Sequence, residues 1–461
     1  MKSIAVGKIA EIVAGTLAWG EEKKLVSNVS IDSRDVDDKS LFVPIIGERV
    51  DAHRFIPDVL ERDALVFSSD WSVRGERGAC IYVEDTLFAL QRLAAWYRGQ
   101  FDIPVIGITG SVGKTTTKEM VASVLEKKYR TVRTIGNRNS QIGLSLMMFE
   151  LEEDTEMAVF EMGISLPGEM ERLADIARPT AAVVTNIGVS HIGNLGSREN
   201  ICREKGKIIR HFTEGNPLYI CGNGDLRELS RQCIPYDRAC TFYYGTEDGN
   251  DYGGGELSVG ESGQGFVYRH GDVSEPVRLS VMGRHNVDNA ILALALAERF
   301  SVPLRQAADA LSSYRPIAMR GVVMEKDGVH IIDDTYNASP DSIKSNLKAL
   351  ACYPGGGKIA VLGDVLELGG QSAELHRDIG RFIVEEAAAG RRLSLLVTVG
   401  SEMLYTHTYV EEHSDILTLH CDDREEAVQA VTERMKKGDW ILVKGSRGMH
   451  MEEVAERLAK E

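Results

Sequence analysis

The chain has 461 residues, a formal net charge of −16, 43% hydrophobic residues and 26% charged residues. These values are typical of a globular protein with about three domains, and they exclude a disordered or fibrous chain. The longest apolar run, residues 290–297, is far shorter than the about 18 residues that a membrane-spanning helix needs, so no membrane insertion is expected.

The cysteine content and the acidic excess indicate where the protein is located and what kind of partner it binds. The seven cysteines include no C-x-x-C pair and their number is odd, which favours neither a disulfide framework nor a zinc site. We therefore expect a reducing, cytoplasmic location. The acidic excess comes without a cluster of basic residues, which argues against nucleic-acid binding and favours small-molecule partners.

The pattern of predicted elements divides the chain into three regions. Residues 1–101 end in a helical stretch at 87–101, residues 102–316 alternate short apolar runs with helical patterns, and residues 317–461 repeat that rhythm. The predicted strands are VIGIT (105–109), AVFE (158–161), AAVVTNIG (181–188) and PLYICG (217–222), followed by VHIID (329–333), KIAVLGD (358–364), LSLLVTVG (393–400) and DWILVKG (439–445). Such alternation predicts an α/β fold with parallel sheets wrapped by helices.

One stretch of the second region departs from this rhythm. Residues 245–275 are rich in glycine and contain only short alternating runs. This composition predicts antiparallel hairpins and loops on one edge of the sheet.

The sequence GITGSVGKTTT at 107–117 indicates a phosphate-binding loop, because an apolar strand precedes it and an amphipathic helix follows it. Glycines let backbone N–H groups point at phosphates, and the helix N-terminus adds a positive dipole end. In such a loop Lys114 reaches the β- and γ-phosphates and the Thr115 hydroxyl can bind Mg²⁺. The motif predicts ATP or GTP binding, but kinases, motors, switches and ligases all use it.

Polar residues at other strand ends leave alternatives open. Glu161 closes one predicted strand and His191 follows another, so in a parallel sheet both can lie beside the loop and bind a divalent metal, or act as a helix-capping carboxylate and a solvated loop histidine. Lys205 lies on a predicted helix, where a surface lysine is the simplest interpretation. Asp333 and Asp334 end a strand, and they can bind ribose hydroxyls or cap the next helix.

Taken together, segments along nearly the whole chain resemble the Mur ligase family. The most specific are DDTYNASPDS, LGDVLELG and VKGSRG; the loop motif alone is weak. The segments are VSIDSRDV (29–36), LFVPIIGERVDAHRFI (41–56), GITGSVGKTTTK (107–118), GNRNSQIGLSL (136–146), FEMGISLPGE (160–169), TNIGVSHIGNLGSRENICREKGKI (185–208), GRHNVDNAILA (283–293), MRG (319–321), IIDDTYNASPDS (331–342), VLGDVLELG (361–369) and LVKGSRGMHMEE (442–453).

The resemblance implies three α/β domains: a small uridine-nucleotide-binding domain at 1–101, a central P-loop ATP-binding domain at 102–316 and a C-terminal Rossmann-like domain at 317–461. It implies ATP-dependent formation of a peptide bond through an acyl phosphate, with ATP and Mg²⁺ as cofactors. The implied substrates are UDP-N-acetylmuramoyl-tripeptide and D-Ala-D-Ala. This is a step of cytoplasmic peptidoglycan-precursor synthesis, for which we expect a monomer.

The resemblance also implies roles for individual residues. Lys114 stabilises the transferring phosphoryl group, Thr115 and Glu161 hold one Mg²⁺, His191 holds another, and Lys205 stands where family members carry a carbamate. The implied nucleotide contacts are Gly110, Ser111, Val112, Gly113, Lys114, Thr115 and Thr116 for the phosphates, Asn289 for adenine, Arg320 for phosphate, Asp334 for ribose, and Tyr336 nearby. The implied substrate contacts are Asp32, Ser33 and Arg34 for the uridine nucleotide, and Asn137 and Asn139 on a substrate-facing turn.

The chain departs from the family pattern at a few positions. Ala52 replaces the glycine of an Asp-Gly-His motif, and Ser140 and Ser145 replace a usual Asn and Pro, all on substrate-side segments. Two alternatives stay open: another amide ligase of the same superfamily, such as an earlier Mur step or a folylpolyglutamate synthetase, and a P-loop regulator that hydrolyses nucleotide. The third residue of the tripeptide and the tolerance for D-Ala-D-Lac or D-Ala-D-Ser are not encoded in these motifs.

Overall fold

The computed structural model describes residues 1–47, 49–237, 240–260 and 263–460. Glu48, within the segment 41–56, and residues 261–262, within the Gly-rich stretch, lie outside the described residues. Among the helices of the described ranges, none combines the length and the apolar character needed to cross a membrane.

The N-terminal part contains a five-stranded sheet and a two-stranded ribbon. Its strands are Ile4–Ala5 (β1), Thr16–Trp19 (β2), Leu25–Val26 (β3), Asn28–Ser30 (β4), Ser40–Phe42 (β5), Leu65–Ser68 (β6) and Ala79–Tyr82 (β7), and its helices are Val6–Val13 (α1), Ile56–Leu60 (α2) and Thr86–Arg98 (α3). The sheet order is β2-β7-β6-β5-β4, in which only β2 is antiparallel to its neighbour, and β1 pairs with β3.

Helix α3 confirms the predicted helical stretch at 87–101 and joins the first part to the second. It begins at Asp85, whose carboxylate accepts the Phe88 N–H, as expected for an N-terminal cap. At its C-terminal end the buried Arg98 donates through Nε to the Ala177 carbonyl at 2.9 Å, and the Tyr97 hydroxyl donates to the Leu151 carbonyl at 2.9 Å. These contacts fix the N-terminal sheet relative to the central one.

The central part contains a nine-stranded sheet in the order β16-β15-β14-β13-β12-β11-β8-β10-β9. Its strands are Val105–Thr109 (β8), Thr131–Arg133 (β9), Met157–Glu161 (β10), Ala181–Val184 (β11), Leu218–Cys221 (β12), Thr241–Gly245 (β13), Tyr252–Gly260 (β14), Gly263–His270 (β15) and Val273–Leu279 (β16). Its helices are Lys114–Leu125 (α4), Gln141–Met148 (α5), Glu169–Ala177 (α6), Ile192–Leu195 (α7), Arg198–Gly206 (α8), Leu226–Cys233 (α9), Arg284–Arg299 (α10) and Leu304–Ser312 (α11).

The sequence-based predictions for this sheet are largely confirmed. Strands β8 to β14 pair in parallel, and β15 and β16 form the predicted antiparallel hairpins at one edge. The predicted strand at 181–188 is too long, because β11 ends at Val184 and the following backbone and side chains turn toward the phosphate loop. The apolar run at 290–297 belongs to α10, which is buried against α4, α11 and the sheet.

The C-terminal part contains a six-stranded sheet in the order β17-β18-β22-β19-β20-β21. Its strands are Val322–Lys326 (β17), Val329–Asp333 (β18), Lys358–Gly363 (β19), Leu395–Val399 (β20), Thr418–Cys421 (β21) and Trp440–Lys444 (β22), and its helices are Pro340–Cys352 (α12), Ser372–Ala388 (α13), Leu404–His413 (α14), Arg424–Thr432 (α15) and Glu452–Lys460 (α16). All strands but β17 are parallel. The fold is therefore the predicted α/β architecture; the boundaries at 101/102 and 316/317 stay a prediction.

Candidate active site

The phosphate loop lies at the carboxyl end of β8, between the ends of β10 and β11, where ligands bind in open parallel sheets. Gly113 precedes the first turn of α4 and has a left-handed backbone conformation, with φ of 85°. Residues with a side chain disfavour this conformation, so glycine is suited to the position. The Lys114 ammonium donates to the Gly110 carbonyl at 2.9 Å. Burial lowers the pKa of this amine and the nearby Arg320 charge adds to that effect, whereas Glu161 opposes it.

Asn186, which follows β11, holds the phosphate loop through hydrogen bonds from two of the loop's backbone N–H groups. Its carbonyl accepts the Ser111 N–H at 3.0 Å and its side-chain oxygen accepts the Val112 N–H at 2.9 Å. The Ser111 hydroxyl in turn accepts the Gly188 N–H at 2.9 Å. The segment 185–191 therefore sets the shape of the phosphate loop.

Glu161, at the end of β10, is a buried carboxylate with only 2% of its surface exposed. It accepts hydrogen bonds from the Thr115 hydroxyl at 2.9 Å and from the Asn139 amide at 2.7 Å. Within the described residues it forms no ion pair. Because a buried charge needs compensation, this carboxylate together with the Thr115 hydroxyl has the chemistry of a hard-cation site.

Lys205 is buried to 1% exposure on α8, so the interpretation as a surface lysine is wrong. In the part of the chain that the structure describes, its amine has no hydrogen-bond or ion-pair partner. Burial and the nearby Lys114 charge hold the pKa of this amine well below its ordinary value, against the opposing charge of Glu204. Both effects favour the neutral form of the amine, which is the form that reacts with a small electrophile.

His191 lies in the turn before α7 in the left-handed conformation, with φ of 61°. Its Nδ1 atom is 2.7 Å from a carboxylate oxygen of Glu367, a residue of the C-terminal part. Burial lowers the pKa of the imidazole, the Glu367 carboxylate opposes that shift, and the Lys114 and Lys205 charges reinforce it. The ring is therefore favoured in its neutral form, which is the form that binds metals.

Arg320 and Asp334 enter the site from the C-terminal part. Arg320 donates through Nη2 to the Thr115 hydroxyl at 3.2 Å and its guanidinium stacks on Tyr336 at 3.8 Å. Its Nε is buried and has no hydrogen-bond partner among the described residues. Burial raises the pKa of Asp334, but the Lys444 ammonium outweighs that effect and holds the pKa below its ordinary value.

The remaining predicted contacts fall in two places. Asn289 on α10 accepts the Thr117 hydroxyl at 2.9 Å and lies beside Gly113, so it borders the phosphate loop. Asp32, Ser33 and Arg34 form a turn after β4 of the N-terminal sheet, and Arg34 pairs with Asp32 through Nε at 2.9 Å and Nη2 at 2.7 Å. Among the described residues, no hydrogen bond or ion pair joins this turn to the phosphate loop.

Sequence reasoning missed several residues of this site. Asp341 accepts the Val189 N–H at 3.0 Å, Glu367 contacts His191, and Lys444 and Asn346 hold Asp334. Asn139, assigned to the substrate side, binds Glu161 directly. Asp341 and Glu367 belong to segments with family-like motifs, but no spacing rule links either of them to the turn at 185–191.

The site combines the amines of Lys114 and Lys205, the Arg320 guanidinium, the His191 imidazole and the carboxylates of Glu161 and Asp334 around a phosphate loop. This charge distribution suits a nucleotide phosphate chain together with a divalent cation. Residues 108–297 match the model of the Mur ligase middle domain, and residues 319–447 match the model described as Mur ligase, glutamate ligase domain. The chain belongs to the Mur ligase family and is an enzyme that forms C–N bonds.

Individual members of the Mur ligase family are similar to this chain over nearly its whole length. A Bacillus subtilis (strain 168) protein named UDP-N-acetylmuramoyl-tripeptide--D-alanyl-D-alanine ligase is 38% identical over 98% of both chains. A crystal structure of MurF from Acinetobacter baumannii superposes with a TM-score of 0.89, at 29% identity and complete coverage of both chains. MurF ligase from Thermotoga maritima, solved in complex with ADP, gives a TM-score of 0.83 at 30% identity, over 95% of this chain and 98% of that one.

Proposed function

We propose that this enzyme joins D-alanyl-D-alanine to the terminal carboxylate of UDP-N-acetylmuramoyl-tripeptide, with cleavage of ATP to ADP and phosphate. The observation that carries the proposal is that Thr115 of the phosphate loop contacts both Glu161 and Arg320 of the C-terminal part. It is supported by the alignment of nearly the whole chain with a relative named as a ligase of this reaction. The reaction takes place in the cytoplasm, as a step of peptidoglycan-precursor synthesis.

In this proposal ATP binds between the central and C-terminal parts. The phosphates lie in the loop formed by residues 110–116, where the N-terminus of α4 and Lys114 favour negative charge. Arg320 donates to a phosphate through its unpartnered Nε, Asp334 accepts from the ribose with Tyr336 nearby, and Asn289 contacts adenine.

The donor set fits Mg²⁺, because Glu161 is a buried carboxylate that forms no ion pair within the described residues and Thr115 places a hydroxyl oxygen next to it. No group of three or more His, Cys, Asp or Glu side chains in the described residues forms a ready-made metal site. We therefore assign Thr115, Glu161, His191 and a carbamylated Lys205 as protein ligands that share Mg²⁺ with nucleotide phosphates. When bound, Mg²⁺ neutralises phosphate charge.

The environment of Lys205 supports its carbamylation. The neutral amine adds through nitrogen to the carbon of CO₂, and one N–H proton passes to water, which leaves a carbamate anion. The unmodified side chain brings a second amine close to Lys114, whereas the carbamate supplies an anionic oxygen to the same place. The modification thus replaces an amine, which repels cations when it is protonated, with an anionic oxygen that can bind one.

The chemical step then follows from the charges. A carboxylate oxygen of the tripeptide attacks the γ-phosphorus, the bond to the β-phosphate oxygen breaks, and ADP leaves. The dipeptide amine attacks the resulting acyl phosphate at its carbonyl carbon, loses a proton, and inorganic phosphate departs. The Lys114 ammonium stabilises the negative charge of the phosphoryl group during its transfer. Contact with the C-terminal part excludes water from the acyl phosphate.

The substrate-side assignments extend over the other two parts of the chain. Asp32, Ser33 and Arg34 bind the uridine nucleotide, and Asn137 and Asn139 lie on the turn that faces the tripeptide. The hydrogen bond from Asn139 to Glu161 supports this, because it joins that turn to the phosphoryl-transfer centre. We assign domains at 1–101, 102–316 and 317–461, and a monomer with small-molecule partners and no nucleic acid.

The test is phosphate release from ATP and Mg²⁺ with UDP-N-acetylmuramoyl-tripeptide, measured with and without D-Ala-D-Ala, with the product followed by mass. We expect release that requires both substrates, and a UDP-N-acetylmuramoyl-pentapeptide product. Release that needs a different amine would keep the ligase and change its specificity. Release that is independent of both substrates would contradict the proposal and favour a nucleotide-hydrolysing regulator.

A further inference from the structure

The contact between His191 and Glu367 crosses from the central to the C-terminal part. The Nδ1 atom of His191 and a carboxylate oxygen of Glu367 are 2.7 Å apart, which is within ion-pair distance, but their geometry is not that of a hydrogen bond, so this buried nitrogen has no hydrogen-bond partner among the described residues. Both residues have left-handed backbone conformations, with φ of 61° and 64°, which is uncommon for residues other than glycine. Residues held in such conformations cluster at functional sites, because the surrounding structure must enforce them.

The segment that carries Glu367 is anchored from within its own domain. The Val365 N–H donates to Nε2 of the fully buried His376 at 3.1 Å, and the Leu366 N–H donates to the Ser446 hydroxyl at 2.9 Å. The Ser446 N–H donates to the Asp364 carbonyl at 3.0 Å. The turn that carries Glu367 is therefore held in place by hydrogen bonds, although 61% of the Glu367 side chain is exposed.

The backbones on the two sides of this contact approach closely. A Cβ atom on Gly193 would lie 3.0 Å from the Glu367 carbonyl and 3.1 Å from the Gly369 nitrogen, so larger residues would separate the two turns. A second contact, from the Val189 N–H to Asp341, lies in the same segment. The turn that bears His191 is thus fixed by the C-terminal part at two points.

We propose that Glu367 is a positioning residue that orients the His191 ring through Nδ1 and so leaves Nε2 to bind the divalent cation. This inference rests on the proposed function, because it takes His191 as a metal ligand. Histidines that bind metals usually donate their second ring nitrogen to a carboxylate, which fixes the tautomer and the ring orientation. Here that carboxylate comes from another domain, so the ligand is oriented only when the two parts are in contact.

The test compares Glu367→Gln, Glu367→Asp and the control Glu374→Gln, in which an exposed acid of the same domain is changed. Mn²⁺ binding to the full-length enzyme with a non-hydrolysable ATP analogue is measured by electron paramagnetic resonance. We expect Glu367→Gln to weaken Mn²⁺ binding by about 10- to 100-fold, Glu367→Asp to retain part of it, and the control to match the parent enzyme.

Steady-state ligation gives the second readout. In Glu367→Gln the Mg²⁺ concentration for half-maximal rate should rise by a similar factor, while KM for the UDP-linked substrate stays unchanged. If Glu367→Gln binds Mn²⁺ as the parent does, the contact is only an exposed ion pair and the inference is wrong. If the parent enzyme binds Mn²⁺ and nucleotide but forms no pentapeptide, the proposed function fails independently of this inference.

Discussion

At the residue scale, the site is organised by buried ionisable groups that form no ion pair within the described residues. Glu161 is buried with hydroxyl and amide donors only, and Lys205 is buried without any partner among the described residues. Burying ionisable groups without ion-pair partners is costly, so an arrangement of this kind persists where a charged ligand completes it. In the proposed function, a nucleotide–metal complex is the charged ligand that completes this arrangement.

Lys114→Ala should lower the ligation rate by about 100-fold or more, because the amine is the loop's own charge for the transferring phosphoryl group. The stability cost should be only about 1 kcal/mol, since the side chain makes one hydrogen bond, to the Gly110 carbonyl. Initial rates and thermal unfolding check both statements, with the exposed Lys127→Ala as control. An unchanged rate would contradict the phosphate-loop assignment.

Lys205→Ala should also lose ligation activity, and short carboxylic acids such as acetate should restore part of it by supplying an anionic oxygen in the vacated space. The control Lys207→Ala, at the end of the same helical segment, should keep its ligation activity without added carboxylic acid. Rates are measured over a series of acid concentrations at constant ionic strength. Full activity of Lys205→Ala without added acid would show that no carbamate is needed.

At the element scale, strand ends bring the site together. The strand, loop and helix around Lys114 could be predicted from sequence, because glycine spacing and apolar periodicity are local signals. Glu161 and His191 could be proposed because the parallel strands β10 and β11, which lie on either side of β8, end at the same edge of the sheet. The pairs Asp334–Lys444 and Asp341–Val189 could not, because they are separated by 110 and 152 residues and depend on strand order and on contact between domains.

Lys444→Met tests the pairing at the ends of β18 and β22. It removes the charge that holds the pKa of Asp334 low and leaves a largely buried carboxylate, so we expect a loss of about 3 kcal/mol in the free energy of unfolding. Adding Asp334→Asn should recover part of that loss. Urea denaturation of both variants and of the exposed control Lys436→Met measures this. Independent, additive effects of the two substitutions would contradict the assigned pairing.

At the scale of the whole molecule, the segment 185–191 links the C-terminal part to the phosphate loop. Asp341 and Glu367 contact this segment from one side, and its Asn186 holds the Ser111 and Val112 amides on the other. We therefore expect movement of the C-terminal part to change the shape of the phosphate loop. This coupling could not be read from the sequence, because each link is a contact between distant segments.

Gly188→Ala should disturb this coupling, because a Cβ atom there would lie 2.0 Å from the Asp341 carboxylate. We expect kcat to fall by about tenfold, equivalent to about 1.4 kcal/mol, and the radius of gyration to increase in small-angle scattering. Adding Asp341→Ala removes the clash and should restore part of kcat, although one hydrogen bond is lost. If the double variant is no better than Gly188→Ala, the two residues do not meet in the active enzyme.

The most direct test of the acyl-phosphate ligation follows oxygen atoms. UDP-N-acetylmuramoyl-tripeptide labelled with ¹⁸O at both oxygens of its terminal carboxylate is incubated with ATP, Mg²⁺, D-Ala-D-Ala and the enzyme, and the phosphate released is analysed by mass. Because the carboxylate oxygen attacks phosphorus and stays with it when the amine displaces phosphate, we expect one ¹⁸O atom in each phosphate. Unlabelled phosphate would mean that ATP is hydrolysed by water, which would contradict the mechanism.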